Sequence, residues 1–223
     1  MNNYFTFFNS SLGKKIQVAF SGIILCFFLL FHLINNLTLF AGPELFNTMV
    51  HSLESIKPII RIMEFGLLII IVMHVGNALL LSTYNKKANP DKYNIRTNET
   101  SSLNSRTMII SGSIILLFFI IHLKYLWYTY QQHLFVGDET YYDIIMRNQL
   151  GYLGNTPTAI FYIIAILLIA IHLKHGFQSA LKTFGVLEQS KWSILYQLSI
   201  IFWGIIPGLF IVIIISIQFN YIK

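Results

Sequence analysis

The sequence predicts an all-α, polytopic membrane protein, a single bundle of five transmembrane helices. Three observations carry that prediction. Of 223 residues, 55% are hydrophobic and only 11% charged, whereas soluble domains carry about 25% charged residues. The mean hydropathy is +0.64, too apolar for one water-soluble core to hide the side chains. The apolar residues fall into five runs, roughly 16–41, 58–84, 106–133, 157–183 and 192–219. Each provides the ~20 residues that a helix needs to cross a bilayer. No composition shift or low-complexity linker divides the chain, so residues 1–223 read as one transmembrane domain.

Span 1 follows the lead-in MNNYFTFFNSSLGKK, whose basic pair is Lys14 and Lys15. The apolar run after it is of full length and reads as a retained span, not a cleaved signal. Residues 42–57, GPELFNTMVHSLESIK, read as a loop with two glutamates and one lysine. Span 2 leads into the polar stretch 85–105, which carries Lys86, Lys87, Lys92 and Arg96. After span 3, residues 134–156 set Asp138, Glu139 and Asp143 against Arg147. Span 4 leads into the short connection 184–191, ending at Lys191, and span 5 is followed by a lone Lys223. Positive charge therefore collects beside the N terminus and on the second and fourth loops. By the positive-inside rule that side, with the N terminus, is cytoplasmic.

The net charge of +6 then reports topology. A nucleic-acid footprint is not indicated, because the basic residues lie in short loops and not in one block. The single cysteine, Cys26, excludes an intramolecular disulfide and a cluster held by several cysteines of this chain. Trp127, Tyr128, Tyr130, Tyr152, Trp192 and Tyr196 gather near span ends, where an interfacial aromatic belt is expected.

Seven histidines are present: His32, His51, His74, His122, His133, His172 and His175. His51 falls in a loop and His133 at the end of span 3. The others lie within spans, where ionisable groups are costly and face the bundle interior. A single one could be a structural hydrogen-bonder; one deep in each of four consecutive spans is not explained that way. The nearest basic residue at the inner end of each span gives a crude depth. His32 is 17 residues from Lys15 and His122 is 16 from Arg106, or about 25 and 24 Å at 1.5 Å per residue. His74 is 12 residues from Lys86 and His172 is 10 from Lys182, or about 18 and 15 Å. Two histidines are outer, on spans 1 and 3; two are inner, on spans 2 and 4.

Two histidines at one depth on facing helices can supply both axial ligands of a haem iron, and two such layers hold two haems. Zinc would need three or four ligands converging at one level. A proton relay normally recruits buried carboxylates as well, and Glu64 is the only acid well inside a span. Ser21-Gly22 and Ser111-Gly112 each stand 11 residues before an outer histidine, nearly the same helix face about 16 Å further in. Such small residues, with Gly66 on span 2, leave room for a macrocycle. Plain helix–helix packing accounts for them equally well.

With these residues in place, the chain resembles the dihaem cytochrome b membrane anchor of succinate dehydrogenases and fumarate reductases, of the bacterial type with one five-span anchor. The resemblance covers nearly the full length. His32 in LLFHLINN, His74 in IVMHVGNALL, His122 in FIIHLKYLW and His172 in IAIHLKHGFQSA fall at that family's ligand positions. It implies a multi-pass protein of the bacterial inner membrane with two b haems, the inner held by His74 and His172 and the outer by His32 and His122. It also implies a flavoprotein subunit and an iron–sulfur subunit as partners, and electron transfer to a quinone, usually menaquinone. Dicarboxylate chemistry would reside on the partners; this chain has neither a dinucleotide-binding glycine motif nor a cysteine cluster.

Quinone-site residues are not assigned. Arg61 and Glu64, three apart on span 2, can pair with each other, balance a propionate or serve a quinone. Lys124 and Lys174 each follow a ligand position by two residues and can reach propionates or snorkel. His175, three residues past His172, falls beside the inner haem's edge or at the partner surface. Three other functions compete: the haem b subunit of a hydrogenase or formate dehydrogenase, which typically has four spans; a transporter whose histidines carry protons, which calls for broken helices and acidic partners; and a haem-free tether for peripheral subunits.

Overall fold

The computed structural model describes residues 3–88, 101–136, 139–186 and 194–222, with side chains placed for 6–85, 108–134, 139–186 and 194–222. The described residues are all-helical, without strands. Five helices are long and apolar enough to cross a membrane: Ser11–Ala41, Lys57–Asn85, Met108–Leu134, Thr156–Thr183 and Ile194–Gln218. They lie within a few residues of the five apolar runs. The side chains of Lys86, Lys87 and Arg106, and all of Lys92, Arg96, Asp138, Lys191, Trp192 and Lys223, lie outside the described residues.

Local chemistry sets the starts of the spans. Ser10 Oγ accepts from the Gly13 amide at 3.0 Å and caps span 1, satisfying one of the donors that a helix start leaves free. Asn155 does the same for span 4, with Pro157 in its first turn, where proline's missing N–H costs nothing. Pro207 lies inside span 5. It cannot donate to the carbonyl four residues earlier, and its ring crowds that carbonyl. The helix widens there into a π-turn over Ile201–Ile205. A second π-turn, Leu123–Tyr128, begins directly after His122 on span 3.

Cross-span contacts fix the bundle order. Gln17 meets Asn77 and Ser21 meets His74, so spans 1 and 2 run antiparallel. Arg61 meets Gln131 and Glu64 meets Trp127 between spans 2 and 3. Ser111 meets His172 between spans 3 and 4. Span 1 packs along both span 2 and span 4, span 3 packs along span 4, and span 5 lies against spans 4 and 1. Spans 1 to 4 therefore form a square in which 1 faces 3 and 2 faces 4 across the diagonals. Outward faces carry large exposed apolar residues, among them Phe31, Ile62, Val72 and Ile194, as suits contact with lipid.

Two connections read as loops contain helices. Pro43–Ser55 is helical, starting after Gly42, whose φ of +90° turns the chain. Its apolar residues Phe46 and Val50 are four apart and both buried, so the segment is an amphipathic helix that the glutamates and polar residues disguised. Tyr141–Met146 is helical behind a capping box of Thr140 and Asp143. Together they cap the end of the bundle opposite the N terminus, where Leu39, Phe46, Tyr142, Ile144 and Leu153 are buried.

Candidate functional site

The four histidines of spans 1 to 4 form two layers. In the layer nearer the cap, His32 and His122 face each other across the 1–3 diagonal, ring centroids 5.7 Å apart and planes at 86°. Aromatic rings wall the pair. Phe28 stacks on His32 at 5.6 Å, Phe210 leans on the same ring, and Phe118 and Tyr162 pack on His122. The Nδ1 of His122 and the hydroxyl of Tyr162 are buried without a hydrogen-bond partner among the described residues.

The layer nearer the N terminus holds His74 and His172 on the 2–4 diagonal, at the levels of Ser21 and Ser111. Each ring is held by a serine from the neighbouring odd-numbered span. Ser21 Oγ lies 3.0 Å from His74 Nδ1, and Ser111 Oγ lies 3.2 Å from His172 Nδ1. Gly22 and Gly112 sit under the same rings; a Cβ on either would stand 3.2 Å from His74 Cε1 or 3.5 Å from His172 Cε1. The small residues thus serve close approach of an imidazole in the helix–helix contact. A Cβ at Gly66, by contrast, would meet nothing within 4 Å. Because Ser21 marks the level of His74 and precedes His32 by 11 residues, the two layers are separated by about 16 Å along the bundle.

The donor set suits a haem. Among the described residues no three His, Cys, Asp or Glu side chains converge on one point, so a tetrahedral zinc site lacks its ligands. Two imidazoles per layer match an iron whose other four positions belong to a porphyrin. Metal–imidazole bonds of about 2.0–2.1 Å set two such rings on the order of 6 Å apart, close to the 5.7 Å of His32 and His122.

The remaining polar residues cluster near the cap. Arg61 pairs with Glu64 at 2.5 Å, bonds Gln131 and lies 5.5 Å over the Trp127 ring. Trp127 Nε1 donates to Glu64 at 2.9 Å, and the Tyr130 hydroxyl donates to Glu54 at 2.6 Å. Arg147 bonds Glu139, His133 and the Tyr152 hydroxyl. Tyr152 is buried at 8% exposure, and Trp127 and Tyr130 are tied to glutamates. Tyr130 and Tyr152 are parts of a polar network under the cap, whereas Trp127 bonds Glu64 and stays exposed as a belt residue does. Trp192 of the expected belt lies outside the described residues, and Tyr128 is exposed. Lys174 Nζ lies 5.0 Å over the Trp203 ring and Lys124 Nζ 5.2 Å over that of Tyr125. His175 is half-buried within electrostatic reach of His172, and His51 is exposed beside Glu54.

Sequence reasoning located the serines but not their contact with His74 and His172. The available signal was the repeat itself, since SGIILCFFLLFH at 21–32 and SGSIILLFFIIH at 111–122 share serine, glycine and histidine in one register. The Arg61–Gln131 and Trp127–Glu64 bonds carried no such signal. Comparison with protein-family models, with curated proteins and with solved structures finds no match to this chain.

Proposed function

We propose that the chain is the dihaem cytochrome b anchor of a succinate dehydrogenase or fumarate reductase complex. It lies in the bacterial inner membrane with its N terminus in the cytoplasm. In this proposal His74 and His172 hold the inner haem and His32 and His122 the outer one. The observation that carries the proposal is the pairing of four deep histidines into two layers, each pair on diagonally opposite helices. Independent structural histidines have no reason to pair by depth.

When bound, the haems supply one-electron carriers at two depths. The chain's own residues do the rest. The imidazoles of His32, His74, His122 and His172 would hold the haems, and Phe28, Phe118, Phe210 and Tyr162 keep water from the outer pair. The five spans tether the carriers between three partners, two at the cytoplasmic face and one in the membrane. At the cytoplasmic face these are an iron–sulfur subunit and, beyond it, a flavoprotein subunit that handles the dicarboxylate. In the membrane the partner is a quinone, with menaquinone the form expected for a five-span anchor.

The test is the optical and paramagnetic spectrum of the purified chain. Two low-spin, bis-histidine b haems per polypeptide are expected; a preparation without stoichiometric haem refutes the proposal. His74→Ala or His172→Ala should abolish the inner signal, and loss of the outer signal alone would refute the pairing. Co-purification with a flavoprotein and an iron–sulfur protein separates this complex from a hydrogenase or formate dehydrogenase.

A further inference from the structure

We infer that Ser21 and Ser111 are positioning residues that hold His74 and His172 as the Nδ1–H tautomer, leaving Nε2 of each ring bare as the metal-binding atom. The inference rests on the dihaem reading for the identity of the metal, but not for the tautomer.

It follows from counting hydrogens. A serine hydroxyl carries one hydrogen and can accept through its lone pairs; a backbone carbonyl can only accept. Ser21 Oγ lies 2.7 Å from the carbonyl of Gln17, and its hydrogen goes there. Toward His74 Nδ1, at 3.0 Å, Oγ has only lone pairs to offer, so the ring nitrogen is the donor. The Val18 carbonyl, 3.1 Å from the same hydroxyl, is a second acceptor for that one hydrogen. A neutral imidazole has one hydrogen; with Nδ1 protonated, Nε2 keeps its lone pair.

The second half of the bundle repeats the arrangement independently. Ser111 Oγ donates to the Met108 carbonyl at 3.1 Å and stands 3.2 Å from His172 Nδ1. In both halves the serine comes from the odd-numbered span and the histidine from the span that follows. The next residue is a glycine whose missing Cβ lets the ring edge approach. One serine beside one histidine could be incidental packing. Two, in the same register of a repeated S-G-x9-H segment and on both members of one layer, are not. Among the described residues the histidines of the other layer have no such hydroxyl: His122 Nδ1 has no partner there, and His32 Nδ1 has only the Asn36 amide at 3.4 Å. A ligating histidine whose second nitrogen donates outward is a more basic and better oriented ligand, so the two layers differ in how firmly their ligands are set.

The first experiment reads the tautomer directly. The full-length chain is labelled with nitrogen-15 histidine, produced under haem limitation, and its imidazole nitrogens are observed by NMR. His74 and His172, assigned by their loss in His74→Gln and His172→Gln, should both show protonated Nδ1. Protonated Nε2 on either overturns the inference. The second experiment uses the haem-loaded chain with Ser21→Ala, Ser21→Thr and Ser111→Ala. Each alanine variant should shift the midpoint potential and low-spin signal of the inner centre while the outer centre stays fixed, and threonine, which keeps the hydroxyl, should restore it. An unmoved inner centre, or an equal shift in both centres, overturns the inference. A wild-type chain that binds no haem would refute the proposed function instead, and the nitrogen measurement would still decide the tautomer.

Discussion

Substituting alanine at Gly22 and at Gly112 should separate two positions that look equivalent in sequence. A Cβ at Gly22 would stand 3.2 Å from Cε1 and 3.7 Å from Nδ1 of His74. Carbon–carbon contacts are best at about 3.5–4.0 Å, so the ring must retreat by roughly 0.3–0.5 Å. That retreat works against a 3.0 Å hydrogen bond to Ser21 in a packed interior. A Cβ at Gly112 would stand 3.5 Å from Cε1 and 4.0 Å from Nδ1 of His172, already ordinary contact. Either substitution removes a helical glycine and gains up to about 1 kcal/mol of helix propensity. At Gly22, overpacking near the low end of its ~1–3 kcal/mol range offsets the gain. Gly112→Ala should therefore be more stable than Gly22→Ala by about 1 kcal/mol. Equilibrium unfolding of both variants in mixed micelles measures this. Equal stabilities, or a more stable Gly22→Ala, would refute the claim that the His74 ring is in closer contact with its glycine than the His172 ring.

Two tyrosines should respond differently to loss of the hydroxyl. Tyr130→Phe removes a 2.6 Å bond to Glu54 and should cost about 1–2 kcal/mol, whereas Tyr162→Phe removes a buried hydroxyl that has no partner among the described residues and should be neutral or stabilising in the same unfolding assay. Tyr141, in the cap, is partly buried and stacks on Tyr130 at 4.4 Å; desolvation pushes its phenol above the ordinary value. Its neutral form is favoured in the fold, so its contribution is fully present below about pH 10, where the unfolded phenol titrates, and is lost as pH rises beyond that. A pH series should show Tyr141→Phe losing less stability than wild type above pH 10.

Much of the architecture was legible in the chain because hydropathy alone demands it. Five apolar runs become five spans, since a backbone in lipid must satisfy its own hydrogen bonds. The shortfall lies at Pro43–Ser55, whose two buried positions, Phe46 and Val50, form too short an apolar stripe to stand out among polar neighbours. It lies also in the π-turn after His122, for which neither proline nor glycine gives a cue. The cap network escaped as well. Arg61 with Gln131 and Trp127 with Glu64 are 70 and 63 residues apart, and no local pattern encodes such distances.

The histidines divide along the same line. Their order in depth follows from counting residues along rigid helices of known rise, whereas their separation does not: the basic markers set the layers about 7–9 Å apart, and the contact of Ser21 with His74 sets them about 16 Å apart. Which histidine faces which across the bundle, and what touches each second nitrogen, depend on how the helices are arranged around one another. Spans 1 and 4 pack together and place 1 opposite 3 and 2 opposite 4; an arrangement in cyclic order 1-3-2-4 would keep every depth and lose both diagonals. Ser21 and Ser111 read in isolation as small residues at a helix contact. Only the packing of each odd-numbered span on its successor turns them into hydrogen-bond partners of His74 and His172, because a hydrogen bond depends on tenths of an ångström between side chains far apart in the sequence.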